Sequence, residues 1–274
     1  MSIDATLVIL TKNEERHVQR AIASAAGFGQ ILVIDSNSTD RTKEIAAGAG
    51  ATVLDFEWNG KYPKKKEWAI SKVQTDWVFY LDADEYFDSD LLDEIAAVVS
   101  NPVASALEVP VRYYWQGKEL KHGHRVCKRI GMRRSAAFWP QPNDLSVKNM
   151  WEVEGHYQPQ IVKGEVVRAR HLLGHQDEDG LFDYFARHNR YSDWEANMLY
   201  QGETISARSR SRLGKLAVNL PARYVIFFLY SYGLRLGFLD GKAGFNYALA
   251  LSFYYWQIQV KLDELKNQAR GSSS

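Results

Sequence analysis

Two aspartates one residue apart, Asp82 and Asp84, end the apolar run Trp77-Val78-Phe79-Tyr80-Leu81, and Glu85 follows them. An apolar strand that stops in Asp-x-Asp sets carboxylate oxygens at a sheet edge, where a hard cation such as Mg²⁺ or Mn²⁺ can bridge to a phosphate-bearing ligand. The same pattern also makes helix N-caps and solvated turns, and Asp88-Ser89 reads as the cap of the next helix. The larger pattern around the pair decides between these readings.

The first hundred residues alternate strand and helix, with strands expected near 5–10, 30–35, 51–56 and 76–82. Such βαβ alternation predicts a parallel sheet covered on both faces. The helix after the second strand is expected to start at Ser38-Thr39-Asp40 and stop near Gly48-Ala49-Gly50. Ligands of open parallel sheets bind beyond the carboxyl ends of the strands. Thr11-Lys12-Asn13-Glu14, Asp35-Ser36-Asn37-Ser38 and Asp82-Ala83-Asp84 should therefore share one rim. From about 104 to 173 longer alternating segments, 106–114 and 160–167, predict antiparallel additions to the sheet, and a helix is expected from Gly180 to Tyr200.

The chain of 274 residues is 46% apolar and 24% charged, the profile of a globular protein with one sizeable core and an appendage. A net charge of +1 gives no ground for a nucleic-acid partner. The single cysteine, Cys127, excludes an internal disulfide and a cysteine-cluster metal site, and reads as a core filler in a reducing compartment. No secretory signal is expected, and the reading is of a cytoplasmic protein. The absence of Gly-x-Gly-x-x-Gly after the first strand, and of a Walker loop, argues against a Rossmann dehydrogenase and a P-loop enzyme.

Leu10-Thr11-Lys12-Asn13-Glu14-Glu15, Val33-Ile34-Asp35-Ser36-Asn37-Ser38-Thr39-Asp40-Arg41-Thr42 and Leu81-Asp82-Ala83-Asp84-Glu85 resemble, in order and spacing, the family 2 glycosyltransferases of GT-A fold. The resemblance implies an α/β fold with a mixed, mostly parallel sheet, helices on both faces, and an inverting transfer from a nucleotide-sugar, usually a UDP-sugar. It implies that Thr11 and Asp35 contact the base with Asn13 and Glu14 near that pocket, that Lys66 lies near the nucleotide, and that Asp82 faces ribose and metal. Asp84 would ligate Mn²⁺ or Mg²⁺ directly. Ser36-Asn37 replaces the usual acidic-glycine pair, and Glu67 stands where close relatives often carry Asn. Without the resemblance, Lys64-Lys65-Lys66 reads as a solvated helix face.

More loosely, Val153-Glu154-Gly155-His156, His175 ahead of Phe182-Asp183-Tyr184-Phe185, and Asn189-Arg190-Tyr191-Ser192 resemble the lipopolysaccharide-core β-glucosyltransferase branch. That branch works on lipid-linked acceptors at the cytoplasmic membrane face. An inverting transfer needs a base for the acceptor hydroxyl. Glu154 is preferred, Glu152 shares its face on an extended segment, and Asp144 is a third candidate. His175 could complete a Mn²⁺ site, with His171 as the fallback. His122-Gly123-His124 reads as a loop, while Trp139, Trp151 and Tyr157 suit either sugar stacking or core packing.

Three segments follow: a nucleotide-sugar half (1–103), an acceptor half (104–205), and a basic, aromatic C-terminal helical segment (206–270). The last holds the run 207–215 and two apolar stretches, 224–234 and 243–260, against the ~20 residues a membrane span needs. Amphipathic helices lying in the interface of an anionic membrane fit better, with a packed helical pair as the alternative. The same residues also fit two other functions: a polyprenyl-phosphate monosaccharide synthase, and a nucleotide-binding membrane scaffold without turnover.

Overall fold

A computed structural model of the chain describes residues 2–147, 159–175, 180–202 and 222–271. The chain divides into two compact units, one drawn from residues 1–113, 125–139 and 158–177, the other from 114–124, 140–157 and 178–274.

Among the described residues the first unit is built on one sheet, in which strands 52–55, 28–35, 3–11, 77–82, 127–133, 104–115, 173–175 and 85–86 lie side by side in that order. Its first four strands are β1 (Ile3–Thr11), β2 (Phe28–Asp35), β3 (Thr52–Asp55) and β4 (Trp77–Asp82), and every pairing among them is parallel. From Ala5 to Thr11 every residue of β1 is buried, so both faces of the strand are covered, as the sequence alternation requires. Helices α1 (Val18–Ser24), α2 (Thr42–Gly48), α3 (Lys65–Ile70) and α4 (Ser89–Ser100) connect these strands and continue the chain beyond β4. Asp88 caps α4, accepting from Leu91 N at 3.0 Å, a bond worth ~1 kcal/mol in such positions.

The helix expected from Ser38 begins four residues later, because the polar side chains ahead of it serve the rim loop. Ser38 N and Oγ donate to Asp35 at 2.7 and 2.5 Å, and Asp40 accepts from Glu15 N and Thr42 N.

Strands β5 (Glu85–Tyr86), β6 (Ala104–Trp115) and β8 (Cys127–Arg133) extend the sheet, β8 running antiparallel to both β4 and β6. The segment expected as one antiparallel strand over 160–167 is two pieces. Gln160–Ile161 (β10) pairs antiparallel with Ala137–Phe138 (β9), while Glu165–Arg168 (β11) runs parallel to β6. Gly164, at φ +78°, breaks the segment between them. Strand β12 (Leu173–His175) lies parallel to β6 and antiparallel to β5. Cys127 is half-buried at the start of β8 with its sulfur 2.9 Å from Arg168 Nη2, so it is not the core filler expected.

In the second unit the hairpin strand β7 (Lys118–Leu120) follows a turn at Gln116-Gly117, both with positive φ. Helix α5 (Leu181–Tyr200) packs on the 31-residue α7 (Gly241–Gly271) through Ala196, Tyr254 and Ile258, and Tyr254 OH donates to Glu195 at 2.9 Å. Between them come α6 (Arg223–Phe228), a π-helical turn (Leu229–Leu234) and a 3-10 turn (Gly237–Asp240). Among the described residues no helix is long and apolar enough to cross a membrane.

Candidate active site

Parallel register brings the polar rim together. Thr11 pairs with Asp35 and Leu10 with Asp82, so three loops that are far apart in sequence leave the sheet at one edge. At the first two, Thr11 Oγ1 donates to Asp35 Oδ2 at 2.9 Å, and both residues are buried. Asn13, in the left-handed region at φ 58°, accepts from Thr39 N at 2.9 Å and donates its own N–H to Ser38 Oγ. Glu14 N donates to Thr42 Oγ1, and the Glu14 carboxylate lies 2.9 Å from His17 Nδ1.

Lys64 and Lys65 are fully buried rather than solvated. Lys65 Nζ donates to Thr11 O at 2.8 Å, and Lys64 sits over the Tyr62 ring. Desolvating an ammonium is costly unless it is partnered, and Lys65 finds its partner in the Thr11 carbonyl, which ties α3 to the rim. Lys66 is half-buried, its carbonyl accepts from Tyr80 OH at 2.7 Å, and its charge reaches Asp82.

The acidic cluster forms where β4 turns into β5. Strand β12 lies beside β5 with His175 opposite Glu85 and Gly174 opposite Tyr86. A Cβ at Gly174 would meet the Tyr86 ring at 2.3 Å, so only glycine lets β12 approach this closely. His175 Nε2 thereby lies 3.2 Å from Asp84 Oδ2, and the Tyr113 ring packs edge-on against the imidazole at 5.6 Å. From β8, Lys128 Nζ reaches Asp82 Oδ2 at 2.5 Å and Glu85 Oε2 at 2.6 Å, and Glu85 also accepts from Asp82 N. Arg20 of α1 lies over the Tyr86 ring and donates to Asp84 O at 3.4 Å.

Charge decides the protonation states. Burial works against ionising Asp82, but Lys128 and then Lys66 hold its carboxyl well below the usual range. Burial likewise opposes Asp84, and the bond and charge of His175 outweigh it. Glu85 goes the other way: burial and the charges of Asp82 and Asp84 raise it despite Lys128. Burial would lower Lys128 and His175, yet their carboxylate partners raise both.

Asp84 and His175 offer an oxygen and an imidazole nitrogen side by side, a donor set that would suit Mn²⁺ better than Mg²⁺, which prefers oxygen alone. Among the described residues no three carboxylate, histidine or cysteine side chains form a complete cage. His171 is exposed and bound to Glu94 at 3.0 Å, so it takes no part. Glu152, Glu154, Trp151 and Tyr157 lie outside the described residues. Asp144 is fully buried and accepts from Trp194 Nε1 at 2.9 Å. Trp139 is buried against Tyr80, a core role. His122-Gly123-His124 forms a loop, as expected. Sequence reasoning missed Lys128, Glu85, Tyr113 and Lys65. The alternation of β8 puts Lys128 on a definite face, but only the pairing with β4 says what that face meets.

A mostly parallel sheet, a polar rim after β1 and β2, and an Asp-x-Asp pair at the end of β4 are the elements of a glycosyltransferase of GT-A fold. A mannosyltransferase of Pyrobaculum calidifontis, solved with GDP-Man and Mn²⁺, has this fold at a TM-score of 0.52 and 11% identity, over 96% of this chain and 87% of that one. The family profile of Glycosyl transferase family 2 matches residues 6–158, and the chain belongs to that family of inverting glycosyltransferases. An uncharacterized glycosyltransferase of Rickettsia conorii is 42% identical over 93% of this chain and 88% of its own length. LpsC of Rhizobium meliloti, a lipopolysaccharide core biosynthesis glycosyltransferase, is 32% identical over 91% of this chain and 90% of its own.

Proposed function

We propose that the protein transfers a sugar from a nucleotide-sugar, a UDP-sugar, to a lipid-linked saccharide such as lipopolysaccharide core, with Mn²⁺ or Mg²⁺ as cofactor. The observation that carries this reading is the Asp84–His175 pair, set on the same sheet edge as Thr11 and Asp35. The base would bind at Thr11, Asn13, Glu14 and Asp35, the ribose at Asp82, and the diphosphate near Lys66. Asp84 and His175 would hold the cation, with Asp82 beside them. A divalent cation bound there supplies Lewis-acid stabilisation of the charge that grows on the leaving diphosphate.

The chain's own groups do the rest. Lys128 fixes Asp82 and Glu85 and keeps Asp82 ionised. Glu154, or Glu152 in its place, takes the proton of the acceptor hydroxyl as its oxygen attacks the anomeric carbon, and the nucleoside diphosphate leaves from the opposite side. In this reading residues 1–103 serve the donor, 104–205 the acceptor, and 206–270 the membrane.

The acceptor class is supported by the likeness to LpsC along nearly the whole chain. The uridine donor rests on the family resemblance at Thr11 and Asp35, so the test must include guanosine donors as well. Purified protein is given UDP- and GDP-sugars with Mn²⁺, and release of nucleoside diphosphate is followed. Release from a UDP-sugar alone supports the reading, and release from a GDP-sugar alone overturns the donor. No release from any donor, despite nucleotide binding, leaves a scaffold.

A further inference from the structure

Leu234, Leu236, Phe238 and Leu239 lie in a tip of six residues between α6 and α7, with exposures of 75, 46, 47 and 55%. On α7, Phe245, Leu249, Phe253 and Trp256, spaced by four, four and three residues, are all exposed on one helical face, and Tyr232 joins this stripe to the tip by packing against both Phe238 and Phe245. Contiguous apolar surface of this kind marks a binding face.

The tip is held rigidly. Asp240 is buried, accepts from His122 N at 2.8 Å and lies 3.1 Å from His122 Nδ1, while its carbonyl accepts from Lys118 Nζ at 2.7 Å. Gly123 N donates to Arg235 O, and His124 N to Ser231 Oγ. A Cβ at Gly244 would meet Gly237 O at 2.0 Å, so the tip is pinned to the first turns of α7. Leu236 is left-handed, at φ 60°, a conformation that costs a branched side chain energy and that Gly or Asn would adopt more cheaply. A large apolar side chain kept exposed in that conformation points to a role outside the fold.

Charge says what covers it. Between residues 222 and 262 the one acid is Asp240, which is turned inward, while Arg235 and Lys242 are exposed. A twofold contact between two copies through this face would set those cations near their own counterparts. An anionic surface with an apolar interior answers both features. We propose that the 234–239 tip and the outer stripe of α7 seat in the headgroup boundary of an anionic bilayer, which rests on the reading that the acceptor is lipid-linked.

The full chain is floated with phosphatidylcholine vesicles, with and without phosphatidylglycerol. Wild type should float with the anionic vesicles. Leu234→Ser/Phe238→Ser/Leu239→Ser should bind them at least about tenfold more weakly. Arg235→Glu/Lys242→Glu should lose the preference for phosphatidylglycerol. Leu236→Asn, which relieves the backbone, should fold at least as well as wild type and bind vesicles less. All variants should keep the wild-type circular dichroism and the thermal shift given by nucleotide-sugar. The proposal is overturned if wild type stays in the aqueous phase, or if the triple variant floats unchanged. A lipid-free dimer that the triple variant converts to monomer overturns it too, assigning the face to a second copy. Flotation without turnover of any donor would sink the transferase reading and leave the lipid seat standing.

Discussion

His175 Nε2 and Asp84 Oδ2 lie 3.2 Å apart, joined across the β12–β5 pairing. The carboxylate raises the imidazole above its ordinary value although burial opposes this. In the proposed reading a proton and a divalent cation would compete for the same two side chains.

The sign of that competition can be tested. Raised in the folded state, His175 adds stability to the cation-free protein that is complete below the unfolded histidine's value and is lost as pH rises through the folded one. Cation binding selects the neutral imidazole, so Mn²⁺ affinity should fall as pH drops through the folded value. Calorimetric titration of Mn²⁺ across the neutral range should show this slope in wild type and lose it in His175→Ala. A flat wild-type profile would count against ligation by His175.

Lys128 bridges two carboxylates, one of them, Glu85, with a side chain only 3% exposed. Lys128→Met leaves that acid buried without its cation and should cost about 3 kcal/mol. Because Glu85 is already raised by burial and its acidic neighbours, replacing it with Gln in the Lys128→Met background should recover most of the loss. Denaturant melts of wild type, Lys128→Met, Glu85→Gln and the double variant measure this, and additive losses would refute the pairing.

Glu154→Gln should lower kcat by about a hundredfold or more while leaving nucleotide-sugar affinity near wild type, as expected when a general base is removed. Glu152→Gln should retain activity if Glu154 is the base. Full activity in both variants would favour an acceptor that needs no base, such as a lipid phosphate.

Asp240 is lowered below its ordinary value: burial opposes this, but the His122 backbone and side-chain bonds outweigh it. Its stabilisation is present above the unfolded aspartate's value and is lost as pH falls through the folded value. Asp240→Ala should cost about 1 to 3 kcal/mol near neutrality and less in acid. Thermal melts at several pH values would show an unchanging deficit if the brace is not formed.

The parallel half of the sheet was legible because each strand announces itself locally, as an apolar run ending in polar residues, and the Asp88 cap was legible for the same reason. Pairing was not. Lys65 and Lys128 look like surface cations until α3 and β8 are docked on their neighbours. The parallel course of Glu165–Arg168 depends on β6, some sixty residues earlier, and nothing within the segment records it. The start of α2 lies later than its residue types suggest because Ser38 is bound into the rim loop, while Asp40 is shared between Glu15 N in that loop and Thr42 N at the first turn of the helix.

The cation at Asp84 can be tested by titrating UDP into wild type and Asp84→Asn, each with and without Mn²⁺. The account predicts that Mn²⁺ tightens UDP binding to wild type by at least about tenfold and leaves Asp84→Asn unaffected. Equal UDP affinity in wild type with and without Mn²⁺, or a full Mn²⁺ effect in Asp84→Asn, would contradict it.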